Sequence, residues 1–163
     1  MRPLLIGMCN PLSDDPECDL YPYPEGSAGW RLWQMLPEGT TRAGYLRAFD
    51  RRNLLRARVW NQPAARAAVK DLLPALEGRM VIILGTQVRA AFGLLAVKPL
   101  QLARAVVPIV ASTSSSQQFC TFEWAAVPHP SGRNRWYNEP GRRAEVGAFL
   151  MELVSRCAGG ARA

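Results

Sequence analysis

Residues 80–84 read Met-Val-Ile-Ile-Leu, bounded by Arg79 and Gly85. A continuous apolar run of this length has no face to show to water. As a strand it must be covered on both sides, which is the habit of parallel strands inside α/β proteins. Helical patterns flank it. "QPAARAAVKDLLPALEG" is strongly amphipathic, with Pro63 near its start and Gly78 just beyond its end. Pro74 is expected to kink or shorten it. After the run, Thr86 is expected to cap a helix through Phe92. Two further apolar runs, Pro3–Met8 and "FCTFEWAAVP", read as strands, and "AVVPIVAS" as another, interrupted by Pro108. Strands alternating with helices predict an α/β fold, a three-layer α/β/α sandwich around a mostly parallel sheet of four or five strands.

The remaining segments fit this frame. Ser27 can cap a helix carrying Trp30, Trp33 and Leu36 at helical spacing, and Pro37-Glu38-Gly39 stops it. Thr40 or Thr41 can cap a short helix reaching Phe49. Asn53-Leu54-Leu55 reads as a second strand or its end. "STSSSQQ" is a polar connector. A last helix runs from about Gly141 to Cys157, with Val146, Phe149, Leu150, Leu153 and Val154 on one face. Residues 1–157 are expected to form one domain and residues 158–163 a frayed tail. The segment from Leu12 to Gly26 is rich in Asp, Pro and Tyr, and a loop of that length in a compact domain usually serves function.

The chain carries 20 Lys+Arg against 13 Asp+Glu, a formal net charge of +7, and only Lys70 and Lys98 are lysines. A basic, arginine-rich surface favours a polyanionic partner, and arginine forks onto phosphate oxygens. Charge alone does not decide, because arginine preference also follows genome composition. Cys9, Cys18, Cys120 and Cys157 form no C-x-x-C pair, and His129 is the one histidine. Those spacings argue against zinc and iron–sulfur sites, so no metal and no cofactor is expected. Scattered thiols suit a reducing cytoplasm. The N-terminal apolar run is broken by Asn10-Pro11, too short for a signal core or a membrane span.

Three polar motifs follow three expected strands: Cys9-Asn10-Pro11, Asn53, and His129-Pro130-Ser131. In parallel sheets the site lies at the carboxyl ends of the strands. "GMCNP" resembles the G-x-N-P motif of the uracil-DNA glycosylase superfamily, in its mismatch-specific uracil/thymine and single-strand-selective branches. "HPSGRN" resembles the H-P-S motif shared by several branches. Between them, "GSAGWRLWQML" resembles a helix with an Arg-aromatic-Trp element, and "VIILG" the central strand. The resemblance covers most of the chain in the right order. Two departures border the base pocket: Cys9 is an extra residue within the first motif, and Leu12 stands where glycine often follows the proline. They leave the reaction class in place and open the choice of base.

The resemblance implies a monofunctional DNA glycosylase that hydrolyses the N-glycosidic bond of a flipped uracil or modified pyrimidine and leaves an abasic site. Cleavage builds positive charge on the sugar and negative charge on the base, so a water holder and a donor to the base are needed. Asn10 is expected to position water, although an amide is no true base. The alternative is a turn residue before Pro11. Asp14, Asp15, Glu17 or Asp19 could serve as a stronger base, or simply form a solvated loop. His129 is expected to donate to the base oxygen. Gly7, Met8, Cys9 and Pro11 are expected to shape the pocket, and Tyr23, or Tyr21, to stack on the base. Asn53 could read the base edge, with Asn61 as rival.

Ser131, Gly132, Arg133, Asn134, Arg135 and Trp136 are expected to meet DNA, Trp136 as a wedge. The alternative for Trp136 and Tyr137 is packing under the last helix. Ser131 is a poor hydrolase nucleophile, lacking a G-x-S-x-G elbow. The expected partner is DNA, duplex or single-stranded, bound by a monomer away from membranes. Other readings remain: excision of hypermodified bases from phage DNA, a binding module that senses abnormal bases without cutting, and an enzyme of small nucleotides.

Overall fold

A computed structural model describes residues 1–94, 97–109 and 118–159. It contains five strands: β1 (Leu4–Gly7), β2 (Asp50–Asn53), β3 (Met80–Leu84), β4 (Leu102–Ile109) and β5 (Gln118–Val127). Five α-helices accompany them: α1 (Ala28–Met35), α2 (Arg42–Ala48), α3 (Gln62–Leu72), α4 (Thr86–Phe92) and α5 (Arg142–Gly159). The strands form one sheet in the order β2-β1-β3-β5-β4. The first four of these run parallel, and β4 is antiparallel to β5. The expected α/β class and mostly parallel sheet are what the chain adopts.

Side-chain alternation along β3 explains the layers. Val81 and Ile83 join Ala65, Val69 and Leu72 of α3 and Val88 and Phe92 of α4 on one face. Ile82 and Leu84 join Leu32 of α1, Tyr45 of α2 and Leu150 and Leu153 of α5 on the other. Both faces are closed, and each fully buried aliphatic side chain contributes about 1.5–3 kcal/mol. Pro74 does shorten α3, which passes into a 3₁₀ turn at Leu73–Leu76.

Four local expectations are corrected. The second strand is Asp50–Asn53, so Asn53 is its end rather than its start, because an edge strand tolerates charged residues that hide the period-2 pattern. Leu54 and Leu55 follow it, their amides donating to the carbonyls of Gly7 and Met8. Pro108 does not interrupt its strand, which runs through to Ile109 because β4 is the other edge, antiparallel to β5. Thr86 is the first residue of α4 rather than its cap. Gly85 precedes it, and no side chain caps the helix. Finally, α5 remains helical through residues 158 and 159 of the expected tail. Residues 110–117, with most of the polar connector, and 160–163 lie outside the described residues. Among the described residues no helix is long and apolar enough to cross a membrane.

Candidate active site

Parallel register brings the carboxyl ends of the strands level. Gly7 pairs with Asn53 across β1 and β2, and Leu84 with Val127 across β3 and β5. The motif that follows each strand therefore opens onto one rim.

The first loop, residues 8–26, is tied down by its own side chains. Asp19 is only 3% exposed. It accepts from the Asn53 backbone N–H at 3.0 Å and from Asn53 Nδ2 at 2.9 Å, and pairs with Arg56 at 2.6 Å. The Asp19 carbonyl accepts from Arg51 at 2.7 Å, and the Tyr45 hydroxyl donates to the Leu20 carbonyl at 2.9 Å. A buried carboxylate survives only with such charged and hydrogen-bonded partners. Asn53 Oδ1 lies over the end of β1: a Cβ on Gly7 would sit 2.5 Å from it, so only glycine fits beneath. Asn10 is engaged at both ends. Its Nδ2 donates to the Cys18 carbonyl at 3.3 Å, and its Oδ1 accepts from the Leu12 N–H at 3.0 Å, an Asx turn.

The second loop is held differently. The His129 carbonyl accepts from the Ser131 N–H at 2.8 Å and from Asn134 Nδ2 at 2.9 Å. Asn134 Oδ1 accepts from the Trp136 N–H at 3.1 Å, and the Tyr137 hydroxyl donates to the Pro128 carbonyl at 2.6 Å. Gly85, at φ +91°, makes room for the histidine, since a Cβ there would meet His129 Cβ at 2.9 Å. The imidazole itself makes no hydrogen bond to the described residues. Burial lowers its pKa below the usual histidine value, so it is neutral at pH 7.

Between the loops lies a cleft of about 630 Å³ lined by Asn10, Tyr23, Asn53, His129, Ser131 and Arg133 among others. Cys9, Pro11 and Gly132 also line it. Burial raises the Cys9 thiol's pKa, which keeps it protonated. Tyr23 is 63% exposed at the mouth, with the Arg42 guanidinium 5.9 Å from its ring centroid. Tyr21 also faces the cleft, beneath Arg51 at 5.7 Å. On the far side of His129 a second cleft of about 600 Å³ is lined by Met8, Gln87, Arg89 and Trp136 and shares His129, Ser131 and Arg133 with the first.

Several expected site residues stand elsewhere. Gly7 is buried beneath Asn53 rather than lining the pocket, and Met8 faces the second cleft. Asn134 lines that second cleft, but both ends of its amide are engaged in holding the loop. Arg135 lines neither cleft. Trp136 is half-buried, edge-on to Tyr137 at 5.1 Å, with the Arg142 guanidinium 5.0 Å from its ring. The ring is thus partly packed, as the alternative expected, and also lines the second cleft. Asn61 caps α3, its Oδ1 accepting from the Ala64 N–H at 2.9 Å, so Asn53 stands without its rival. Asp14, Asp15 and Glu17 do not line the cleft. Asp15 caps the 3₁₀ turn Pro16–Cys18, and Asp19 is the buried anchor.

Leu12, expected to border the pocket where glycine often follows the proline, does line the cleft, at 62% exposure. One residue at the site was not singled out from sequence. Arg31 of α1 lies against Gly132, within 2.8 Å of where a Cβ would stand. Nothing local in the sequence announces that contact. Comparison with protein-family models, with curated proteins and with solved structures found no match for the chain.

Proposed function

We propose that this chain is a monofunctional DNA glycosylase of the uracil-DNA glycosylase type, acting in the cytoplasm as a monomer on a flipped uracil or modified pyrimidine. The observation that carries the reading is the convergence of Asn10, Asn53 and a neutral His129, without a side-chain partner among the described residues, on one cleft rim.

Each group has capacity left for substrate. Asn53 donates one amide hydrogen to Asp19, which leaves a second N–H and the carbonyl oxygen for a pyrimidine edge. The His129 imidazole can donate an N–H to the base oxygen as its negative charge grows, and does so without itself being an acid. Asn10 Oδ1 accepts one bond from Leu12, and its other lone pair can orient water toward the sugar. In the reaction the bond from sugar C1′ to the base nitrogen breaks, its electron pair leaving with the base. Water oxygen bonds to C1′, and the water proton ends on the departed base. Arg133 at the rim, 20 cationic side chains and a net charge of +7 suit a phosphate backbone.

The second cleft beyond His129 favours a related reading, a base carrying a bulky substituent as in modified foreign DNA. The test is a panel of end-labelled oligonucleotides bearing uracil, mispaired thymine or substituted pyrimidines, incubated with the protein and then treated with alkali. Strand scission at the marked base, absent with His129→Ala, supports the reading. Tight binding without scission on every substrate would replace it with a sensor of abnormal bases, a role that the inward engagement of Asn10 would suit.

A further inference from the structure

A third, smaller hollow lies on the other side of the H-P-S-G loop. It measures about 180 Å³ and separates that loop from α1 and the start of α5. Arg31, Gln34, Asn138 and Arg143 face it together with Ser131 and Trp30, and no Asp or Glu lines it. Arg31 is oriented before anything binds: its Nε donates to the Gly26 carbonyl at 3.1 Å, and its terminal nitrogens lie against Gly132. Neither Arg31 nor Arg143 forms an ion pair among the described residues. The adjacent Arg142 behaves oppositely, pairing with Glu139 at 2.8 Å and Glu145 at 2.9 Å. The two guanidiniums without carboxylates, the side-chain amides of Gln34 and Asn138 and the Ser131 hydroxyl can all donate to an oxyanion.

We infer that this hollow is a phosphate-binding subsite. A tetrahedral oxyanion fits both its size and its donor set, and guanidinium forks suit phosphate oxygens. Ser131 and Gly132 are common to the hollow and to the main cleft. A strand that delivers a nucleotide into the cleft can therefore pass over Gly132 and set a neighbouring phosphodiester between Arg31 and Arg143. This placement of the strand rests on the glycosylase reading. The phosphate chemistry does not, and a free or terminal phosphate would use the same donors.

The test measures binding of short single-stranded oligonucleotides carrying a stable abasic analogue, by anisotropy across a salt series, with inorganic phosphate as a second probe. Arg31→Gln and Arg143→Gln should each weaken binding about five- to tenfold at low salt and reduce the salt slope by about 0.7. The Arg143 side chain makes no hydrogen bond among the described residues, so its variant reads the subsite even if Arg31→Gln loosens the loop at Gly26. A single neutral methylphosphonate should weaken the parent at one position near the analogue and leave the Arg143→Gln variant indifferent there, which assigns the phosphate to the DNA backbone. Competition by inorganic phosphate that is lost in both variants, with no methylphosphonate effect, would assign the hollow to a free phosphate. Parent-like affinity, slope and phosphate competition in both variants would overturn the inference. A protein that excises no base yet shows the methylphosphonate effect would keep the subsite and discard the glycosylase reading.

Discussion

The two loops that face each other across the cleft are held differently, the first around a buried carboxylate and the second without one. Residues 8–26 are anchored through side chains: Asp19 is buried against Asn53 and Arg56, and Asn10 closes an Asx turn. The loop after β5 is anchored mainly through its carbonyls, with Asn134 and Tyr137 as the tethers. The side chains of His129, Ser131 and Arg133 are left facing the clefts. A side chain already engaged by the fold offers a ligand only its remaining groups, as the second N–H and oxygen of Asn53 and one lone pair of Asn10 do. The comparison therefore assigns shape to the first loop and charge stabilisation to the second.

The largest expected effect tests the first half of that comparison. Asp19→Ala leaves Arg56 and the Asn53 amide without their acceptor, and should cost about 3–5 kcal/mol in denaturant unfolding. A loss below about 1 kcal/mol would mean that the anchor is solvated rather than buried.

Next comes the contrast between His129 and Asn10. His129→Ala should slow single-turnover excision by roughly a hundredfold, about 3 kcal/mol of barrier, with an unchanged melting temperature. Asn10→Ala should slow it by only about tenfold and also loosen the first loop, because one of its roles is the Asx turn. Equal effects, or the reverse order, would put the chemistry on the first loop.

Trp136 supplies a middle-sized effect. Packed between Tyr137 and Arg142, it should cost about 2 kcal/mol of stability when replaced by Ala, while the salt dependence of DNA binding stays normal. Arg133→Ala should do the opposite, lowering the salt slope by about 0.9 on duplex and leaving stability intact. If Trp136→Ala were stable and defective only on duplex DNA, the wedge expected from sequence would be restored.

The smallest effect is with pH. Burial favours neutral His129, so its folded pKa lies below the value of about 6.5 in the unfolded chain. The unfolded state then binds more protons, and stability must fall with acid. The contribution is complete above pH about 6.5 and is lost as pH drops through the lower folded pKa. With a single histidine in the chain, the imidazole Cε1 proton resonance reads this directly. A midpoint at or above the unfolded value would show that the imidazole is hydrated or has a carboxylate partner.

Much of this was legible from order and period. The run at 80–84 demanded cover on both faces, and α3 and α4 on one side with α1, α2 and α5 on the other provide it. The H-P-S and N-P motifs were expected at strand ends, and they face each other across one cleft because parallel strands end together. The edge strands were harder to read. β2 is Asp-Arg-Arg-Asn, whose charges mask its pairing, and β4 contains Pro108, which only an edge admits. Residue roles within the loops were hardest, because they depend on contacts between distant segments. Asp19 looked like any of four acidic loop residues until its distance from Asn53, 34 positions away, closed to 2.9 Å.

By itself, the sequence determined the layer order, the identity of the central strand and which motifs lie at the sheet's carboxyl edge. These follow from local periodicity and from the need to bury apolar faces. Only the tertiary structure decided that Asn10 and Asn134 bond inward, that Trp136 packs, that the His129 imidazole has no partner among the described residues, and that Arg31 reaches Gly132. A polar side chain's availability depends on whether some remote group has already satisfied it, and no short-range pattern carries that information.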